Sequence, residues 1–222
     1  MPDVRARLRA AVPAGYRWWR HTALVAAFAA AGAWVAGSRL VAPAAGEWAL
    51  LGGMLLAINA GEYVSHRWQM HVRRFPLAVY RRHVDEHHVF FSHERMGIDA
   101  WADLHWVLFP PWALPLLVAG VLPFFAALWL LAGPNVAWLL LLAVFVYYGL
   151  YEIAHVMTHL PDEHALGRHP IVGAVARHHR IHHDPARMRR WNFNFAIPVC
   201  DRLFGTAWRA ENAVAERRDS GA

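Results

Sequence analysis

Long uncharged stretches alternate with short, densely polar ones along this chain. Residues 22–41 form an Ala- and Val-rich run broken only by Ser38 and Arg39 near its end, and residues 48–64 form a second, broken only by Asn59 and Glu62. Each approaches the ~20 residues an α-helix needs to cross the hydrocarbon core of a bilayer. Residues 106–132 carry no charge but contain Pro110, Pro111, Pro115 and Pro123. Proline removes a helical N–H and crowds the preceding turn, so this stretch predicts a kinked span or a re-entrant pair. After Gly133-Pro134-Asn135, residues 136–151 are again uncharged. The pattern predicts an all-α protein: a single domain over 1–222, built as an integral-membrane four-helix bundle. Two polar segments, 65–103 and 152–210, would form a helical, histidine-rich cap on one side. Residues 1–9 and 213–222 lie outside the runs and are expected to fray.

Composition narrows the chemistry. A chain that is 57% hydrophobic is too apolar for an ordinary soluble domain. There is no Lys, which excludes a P-loop lysine, a Schiff-base lysine and a pyridoxal site. The lone Cys200 excludes disulfide frameworks, Cys-rich zinc modules and Fe–S clusters, and is expected to be a small buried or interfacial apolar residue. None of Ser38, Ser65, Ser92 and Ser220 lies in a G-x-S-x-G elbow, so no serine-hydrolase nucleophile is present.

The net charge of +6 comes from arginines placed beside the apolar runs, which suits membrane topology better than nucleic acid, and no nucleic-acid partner is expected. Five Arg precede the first run, six lie between Ser65 and Asp103, and ten follow Glu152, whereas the two remaining connections contain only Arg39. By the positive-inside rule both termini and both polar segments are expected in the cytoplasm. The first run is longer than the roughly 7–15 apolar residues of a signal peptide, so it is expected to be retained. The Ala-rich, Lys-free composition fits a GC-rich bacterial genome, and hence a bacterial inner membrane.

Fifteen of the sixteen histidines lie between His66 and His183, most of them grouped: His66-x4-His71, His83-x3-His87-His88, His155-x3-His159 and His179-x2-His182-His183. On an α-helix, residues three or four apart share a face whereas adjacent residues diverge. His83 with His87, His155 with His159, and His179 with His182 or His183 can therefore each clamp an ion. The adjacent pairs His87-His88 and His182-His183 suit two neighbouring metals. A structural zinc site is satisfied by four ligands, and ten imidazoles is a two-metal count. With no Cys in the groups, the expected ions are iron, zinc, copper or nickel. His21 and His105 are expected to be interfacial side chains.

Glu62 and Glu152 each stand about one turn before the first histidine of a group, as Gly61-Glu62-Tyr63-Val64-Ser65-His66 and Tyr151-Glu152-Ile153-Ala154-His155. A carboxylate at the edge of an apolar span is costly unless paired. These two can bond imidazole N–H groups, ligate a metal directly, or reach the interface or an arginine such as Arg67. Asp85, Glu86 and Asp184 have the same ambiguity. Residues 106–115 and 191–208 are aromatic and proline-containing, and suit either a lipid portal or an interfacial belt.

The order H-x4-H, H-x3-HH, H-x3-H, H-x2-HH, with the first and third groups each following an apolar run, resembles the fatty acid hydroxylase/sterol desaturase superfamily. The tail from Asn192-Phe193-Asn194 through Asp201-Arg202-Leu203-Phe204-Gly205-Thr206 resembles that family's ending, and the similarity extends from about Gly61 to Thr206. The resemblance implies a four-helix membrane bundle under a cytosolic cap, two Fe ions held by histidine, O2 as oxidant, and hydroxylation or desaturation of a membrane lipid. It implies His66, His71, His83, His87, His88, His155, His159, His179, His182 and His183 as ligands. Zinc can replace iron during purification. The sequence departs from the pattern at Asn194, where a small residue is usual, and His178 offers an alternative H-x3-HH register. No fused cytochrome domain fits in the length, so a separate electron-transfer protein is the expected donor. The competing function, a membrane metal transporter or sensor, would place ionisable residues near the bilayer midplane, whereas here they stand at the span ends.

Overall fold

The computed structural model describes residues 3–195 and 197–213. Among the described residues ten α-helices run in chain order: α1 (Val4–Ala10), α2 (Trp18–Ser38), α3 (Ala45–Val64), α4 (Leu77–Tyr80), α5 (His88–Phe90), α6 (Leu104–Val107), α7 (Ala113–Ala132), α8 (Pro134–Thr158), α9 (Pro170–His182) and α10 (Val199–Leu203). Two π-helical stretches, Ser65–Met70 and Arg81–His87, continue α3 and α4, and 3-10 turns occupy Trp101–Asp103 and Ala165–Arg168. No strand occurs among the described residues.

Helix α8 is the centre of the long-helix layer and packs against α2, α3 and α7. Met54, Val136, Leu139, Leu140, Ala143 and Val144 form the core between α3 and α8. Small residues let α2 approach closely: a Cβ on Gly32 would overlap the Phe145 ring, and one on Gly149 would stand 3.3 Å from Ala29 Cβ. Close approach at small residues replaces the hydrophobic drive that lipid cannot supply between helices. The outer face of α7 is apolar, with Leu130 and Leu131 more than 80% exposed. α2, α7 and α8 are each long and apolar enough to cross a membrane. α3 matches them in length but carries Glu47, Asn59 and Glu62 among its apolar residues. Of the four expected spans, all are helices and three have the apolarity.

Three boundaries differ from the expectation. The uncharged stretch from residue 106 is not one span: α6 ends at Val107, and α7 begins only at Ala113, beyond Pro110 and Pro111. Helix α7 then continues through Pro123 instead of folding back as a re-entrant pair. Helix α8 extends seven residues past Tyr151, so one rod carries the apolar core, Glu152 and His155.

Of the N-terminal segment expected to fray, residues 1–2 lie outside the described residues and 3–9 are ordered. Asp3 caps α1 through its carboxylate, and Arg5 is buried, its guanidinium 4.5 Å from the centre of the Phe90 ring. Of the C-terminal segment expected to fray, 214–222 lies outside the described residues.

Candidate metal centre

Helices α3 and α8 both run into the histidine-bearing region, and the π-helical stretches and α9 pack around them. Two groups of imidazoles result. The first contains His66, His71, His83, His88 and His182, and the second His87, His159, His179 and His183; within each, the ligand atoms all lie within 4.8 Å of one another.

The winding of the backbone decides this partition. His66 and His71 are five apart around the first π-helical stretch, as are His83 and His88 around the second. A π-helix bonds i to i+5, so residues five apart share a face there, whereas α-helical winding would pair His83 with His87. The expected His83–His87 clamp is therefore replaced: His83 joins the first group and His87 the second. Where the helix is regular, the four-residue spacing operates, and His179 and His183 enter the second group together. The adjacent pairs split, His87 from His88 and His182 from His183.

Within the groups it is the Nε2 atoms that converge. His66–His83 and His71–His182 approach to 2.9 Å, His83–His88 to 3.0 Å and His71–His83 to 3.1 Å. In the second group His179–His183 approach to 2.9 Å, and His87–His183 and His159–His179 to 3.2 Å. In five of these rings the opposite nitrogen is engaged by a carbonyl, whereas Nδ1 of His71 and of His88 is buried without a partner among the described residues. Nδ1 of His87 bonds Trp106 O at 2.8 Å, Nδ1 of His159 bonds Met96 O at 2.8 Å, and Nδ1 of His183 bonds Phe91 O. In the first group Nδ1 of His182 bonds Trp191 O at 3.0 Å and Nδ1 of His66 bonds Phe193 O. A carbonyl only accepts, so in these five rings Nδ1 carries the proton and Nε2 presents a bare lone pair inward.

Lone pairs facing one another at about 3 Å repel unless a cation lies among them. Two donors each ~2.1 Å from one ion lie roughly 3–3.4 Å apart, so the donor set fits a metal in each group. Burial keeps the rings neutral: it pushes His66 down to about 4, His87 to about 3 and His71 to about 2, the last helped by the repulsion that protonating it beside His66 would meet. His83, His88, His159, His179, His182 and His183 also titrate well below the usual imidazole range, burial again being the main cause.

His155 lies beside the second group, its ring centre 4.9 Å from that of His87 and 5.0 Å from that of His159. Both of its ring nitrogens are buried without a hydrogen-bond partner among the described residues. A buried imidazole so placed costs free energy unless a ligand engages it. Phe195 covers His155 and His179, with ring centres 5.0 and 4.6 Å away. His178 points elsewhere, its Nε2 donating to Asn194 O at 2.9 Å, so His179 rather than His178 joins the group.

Neither glutamate bonds an imidazole. Glu62 accepts from Phe195 N at 2.5 Å and from the Tyr147 hydroxyl, and Glu152 accepts from Phe109 N at 3.1 Å. Arg67 donates to Tyr63, not to Glu62. The carboxylates thus fasten two backbone points next to the aromatic cover. Glu86 pairs with Arg82 at 3.1 Å and Asp184 with Arg187 at 3.2 Å. His21 is buried rather than interfacial, bonding Phe109 O at 2.9 Å and Tyr16 Oη at 3.1 Å, while His105 is half-buried with its ring 4.8 Å from Tyr16.

Asn194, the departure from the family pattern, is wholly buried and ties three segments: its amide donates to Asn59 O at 2.9 Å and its carbonyl accepts from Cys200 N at 2.8 Å and Asp201 N at 3.3 Å. Cys200 is buried against Tyr63 and Phe193. Asp201 accepts from Phe193 N and Asn194 N at 2.9 and 2.7 Å, fixing the strip that supplies Phe193 O and Trp191 O to the first group. The five carbonyls that orient the imidazoles had no sequence signal, because every residue carries one.

Neither curated proteins nor solved structures give a match to the chain. The sequence model of the fatty acid hydroxylase family matches residues 51–206, which spans both π-helical stretches, all ten histidines and the Asp201 strip. That match covers well over half of the sequence, and the chain belongs to the fatty acid hydroxylase family.

Proposed function

We propose that the chain is an O2-dependent di-iron lipid hydroxylase acting on a C–H bond of a membrane lipid, whether acyl or sterol in type. The observation that carries this reading is the pair of imidazole groups with bare Nε2 atoms turned inward, in a member of this family. The first group would hold one ion and the second, with His155, the other. Bound there, two ferrous ions supply the reduction of dioxygen and the oxidising power for C–H cleavage. The reaction balances as RH + O2 + 2e⁻ + 2H⁺ → ROH + H2O, so each turnover consumes two electrons, with an electron-transfer protein as the donor in this reading.

This chain's own residues do the holding and shielding. Carbonyls of Phe91, Met96, Trp106, Trp191 and Phe193 fix five rings in one tautomer. Such partners typically matter by ~10–100-fold in metal affinity or activity. Phe195, held by Glu62, and Tyr151, packed 5.1 Å from Phe195 and 5.6 Å from Phe109, form an apolar cover beside His155 at the end of α8. A lipid chain arriving from α7 and α8 would meet this cover first. The arginine asymmetry supports a topology with both termini and the imidazole groups in the cytoplasm and α3 as a fourth span.

The test compares lipids from cells with and without the chain by mass spectrometry, with metal analysis of the purified protein. The expected result is a lipid heavier by one oxygen, near two iron ions per chain, and no product from His155→Ala although it inserts normally. A product lighter by two hydrogens would make the chain a desaturase. A metal-free protein that still forms the hydroxylated lipid would refute the reading. Reporter fusions after Ser92 and Arg209 should both be cytoplasmic, and an external Ser92 fusion would overturn the topology.

A further inference from the structure

The carbonyls that orient the imidazoles divide as the imidazoles do. The first group is oriented from the strip at 191–193 and the second from Phe91, Met96 and Trp106. Each supporting segment is fastened by one wholly buried aspartate. Asp201 takes Phe193 N and Asn194 N, and Asp103 takes Asp99 N at 2.9 Å and Ala100 N at 3.2 Å. The two aspartates differ in what holds them. Asp201 is tied within its own loop, by the Thr206 hydroxyl at 2.7 Å. Asp103 is gripped by α1, ninety-four residues away: Arg9 donates from Nε at 2.8 Å and from Nη2 at 2.7 Å, a two-point guanidinium–carboxylate pair. Arg5 adds a bond to Gly97 O at 2.8 Å and lies over Phe90, next to the two residues whose carbonyls engage His159 and His183. Ile98 N closes the chain of contacts on His159 O at 2.8 Å.

The geometry points to α1 as a clamp for the second metal position alone, with Arg5, Arg9 and Asp103 as positioning residues for His159 and His183. This rests on the two-metal reading above. It also assigns a role to residues outside 51–206, the part of the chain that the family match covers. Loss of the clamp frees the segment from Phe91 to Asp103, so His159 and His183 lose their fixed tautomer while the first group keeps its own supports. Orienting partners of a metal-bound histidine typically matter by ~10–100-fold in affinity, and that selective weakening is expected here.

The test is anaerobic Co²⁺ titration of the full-length protein in detergent, read by metal stoichiometry and by the visible absorption of bound Co²⁺. Arg9→Ala, Arg9→Lys and Asp103→Asn are placed in three backgrounds: the parent, His71→Ala, which cripples the first group, and His179→Ala, which cripples the second. The parent should bind two ions. Arg9→Ala should weaken one of them by ~10–100-fold, weaken the ion that remains in His71→Ala by a similar factor, and leave unchanged the ion that remains in His179→Ala. Arg9→Lys, which keeps the charge without the fork, should fall between Arg9→Ala and the parent. Asp201→Asn should show the reverse dependence on background. A merely structural role would weaken both ions alike. If Arg9→Ala fails to insert, Arg9→Lys and Asp103→Asn must show the selectivity, and parental binding in both overturns the inference. A parent that binds two ions, with clamp variants acting equally in both backgrounds or in neither, overturns the clamp and leaves the proposed function standing. A parent that binds no ion refutes the proposed function and the clamp with it.

Discussion

His178 and His179 offer two registers in the sequence and one in the structure, and exchanging each for Ala separates them. His178→Ala removes one bond to the Asn194 carbonyl from a ring that is 19% exposed, with the Asp201 carboxylate at 3.5 Å. A single such bond contributes ~0.5–1.5 kcal/mol, and partial exposure lets water take its place, so the loss should lie near the lower end. At about 0.5 kcal/mol, the equilibrium holding the 191–194 strip shifts roughly twofold and both ions remain. His179→Ala instead deletes a lone pair 2.9 Å from His183 Nε2 and 3.2 Å from His159 Nε2, leaving three converging donors of four. Because even orienting partners matter by ~10–100-fold, loss of a donor itself should exceed that range and empty the second position. The assay is iron per chain by metal analysis of detergent-purified protein, with lipid product per inserted chain measured in parallel. His178→Ala should keep near two ions and most activity; His179→Ala should fall towards one ion and lose product. An iron loss in His178→Ala equal to or greater than that in His179→Ala would refute the assignment.

Removing metal with a chelator should lower the thermal midpoint, and anaerobic Fe²⁺ should restore it, since each ion present at 100 times its Kd contributes ~2.7 kcal/mol to the folded state; a midpoint unmoved by chelation would contradict the two sites. His21→Ala should lower stability by about 1 kcal/mol, because it removes a buried ring that bonds the half-buried Phe109 carbonyl and Tyr16 hydroxyl. Parental stability in that variant would return His21 to the interface. Gly32→Leu should lower stability by ~1–3 kcal/mol by forcing α2 away from the Phe145 ring, and Phe145→Ala in the same chain should recover part of it. An unchanged unfolding midpoint in Gly32→Leu would mean that α2 and α8 do not cross there.

The sequence located the long helices, though not the start of α7 or the end of α8, because burial in lipid demands uninterrupted apolar residues and leaves a local signal. It also determined that the chemistry is imidazole chemistry, since four histidine groups next to two apolar runs have few other uses. The structure decided which imidazoles work together. α-Helical spacing pairs His83 with His87, and only the π-helical winding of Arg81–His87 turns His83 to His88 and sends His87 to the other group. The five-residue step of His66-x4-His71 was a legible trace of the same winding, but a spacing carries no hydrogen-bond pattern of its own. The extension of α8 to Thr158 was hidden by Glu152 and His155, polar residues that end an apolar run without ending a helix. Least legible were the contacts between distant parts of the chain: Arg9 with Asp103, Arg5 with Gly97 and His21 with Phe109. Arginine and histidine beside an apolar run read locally as interfacial anchors, and backbone carbonyls have no sequence signature at all. Their partners exist only once the chain has folded and closed nearly ninety residues of loop or more around each pair, so those contacts belong to the tertiary structure alone.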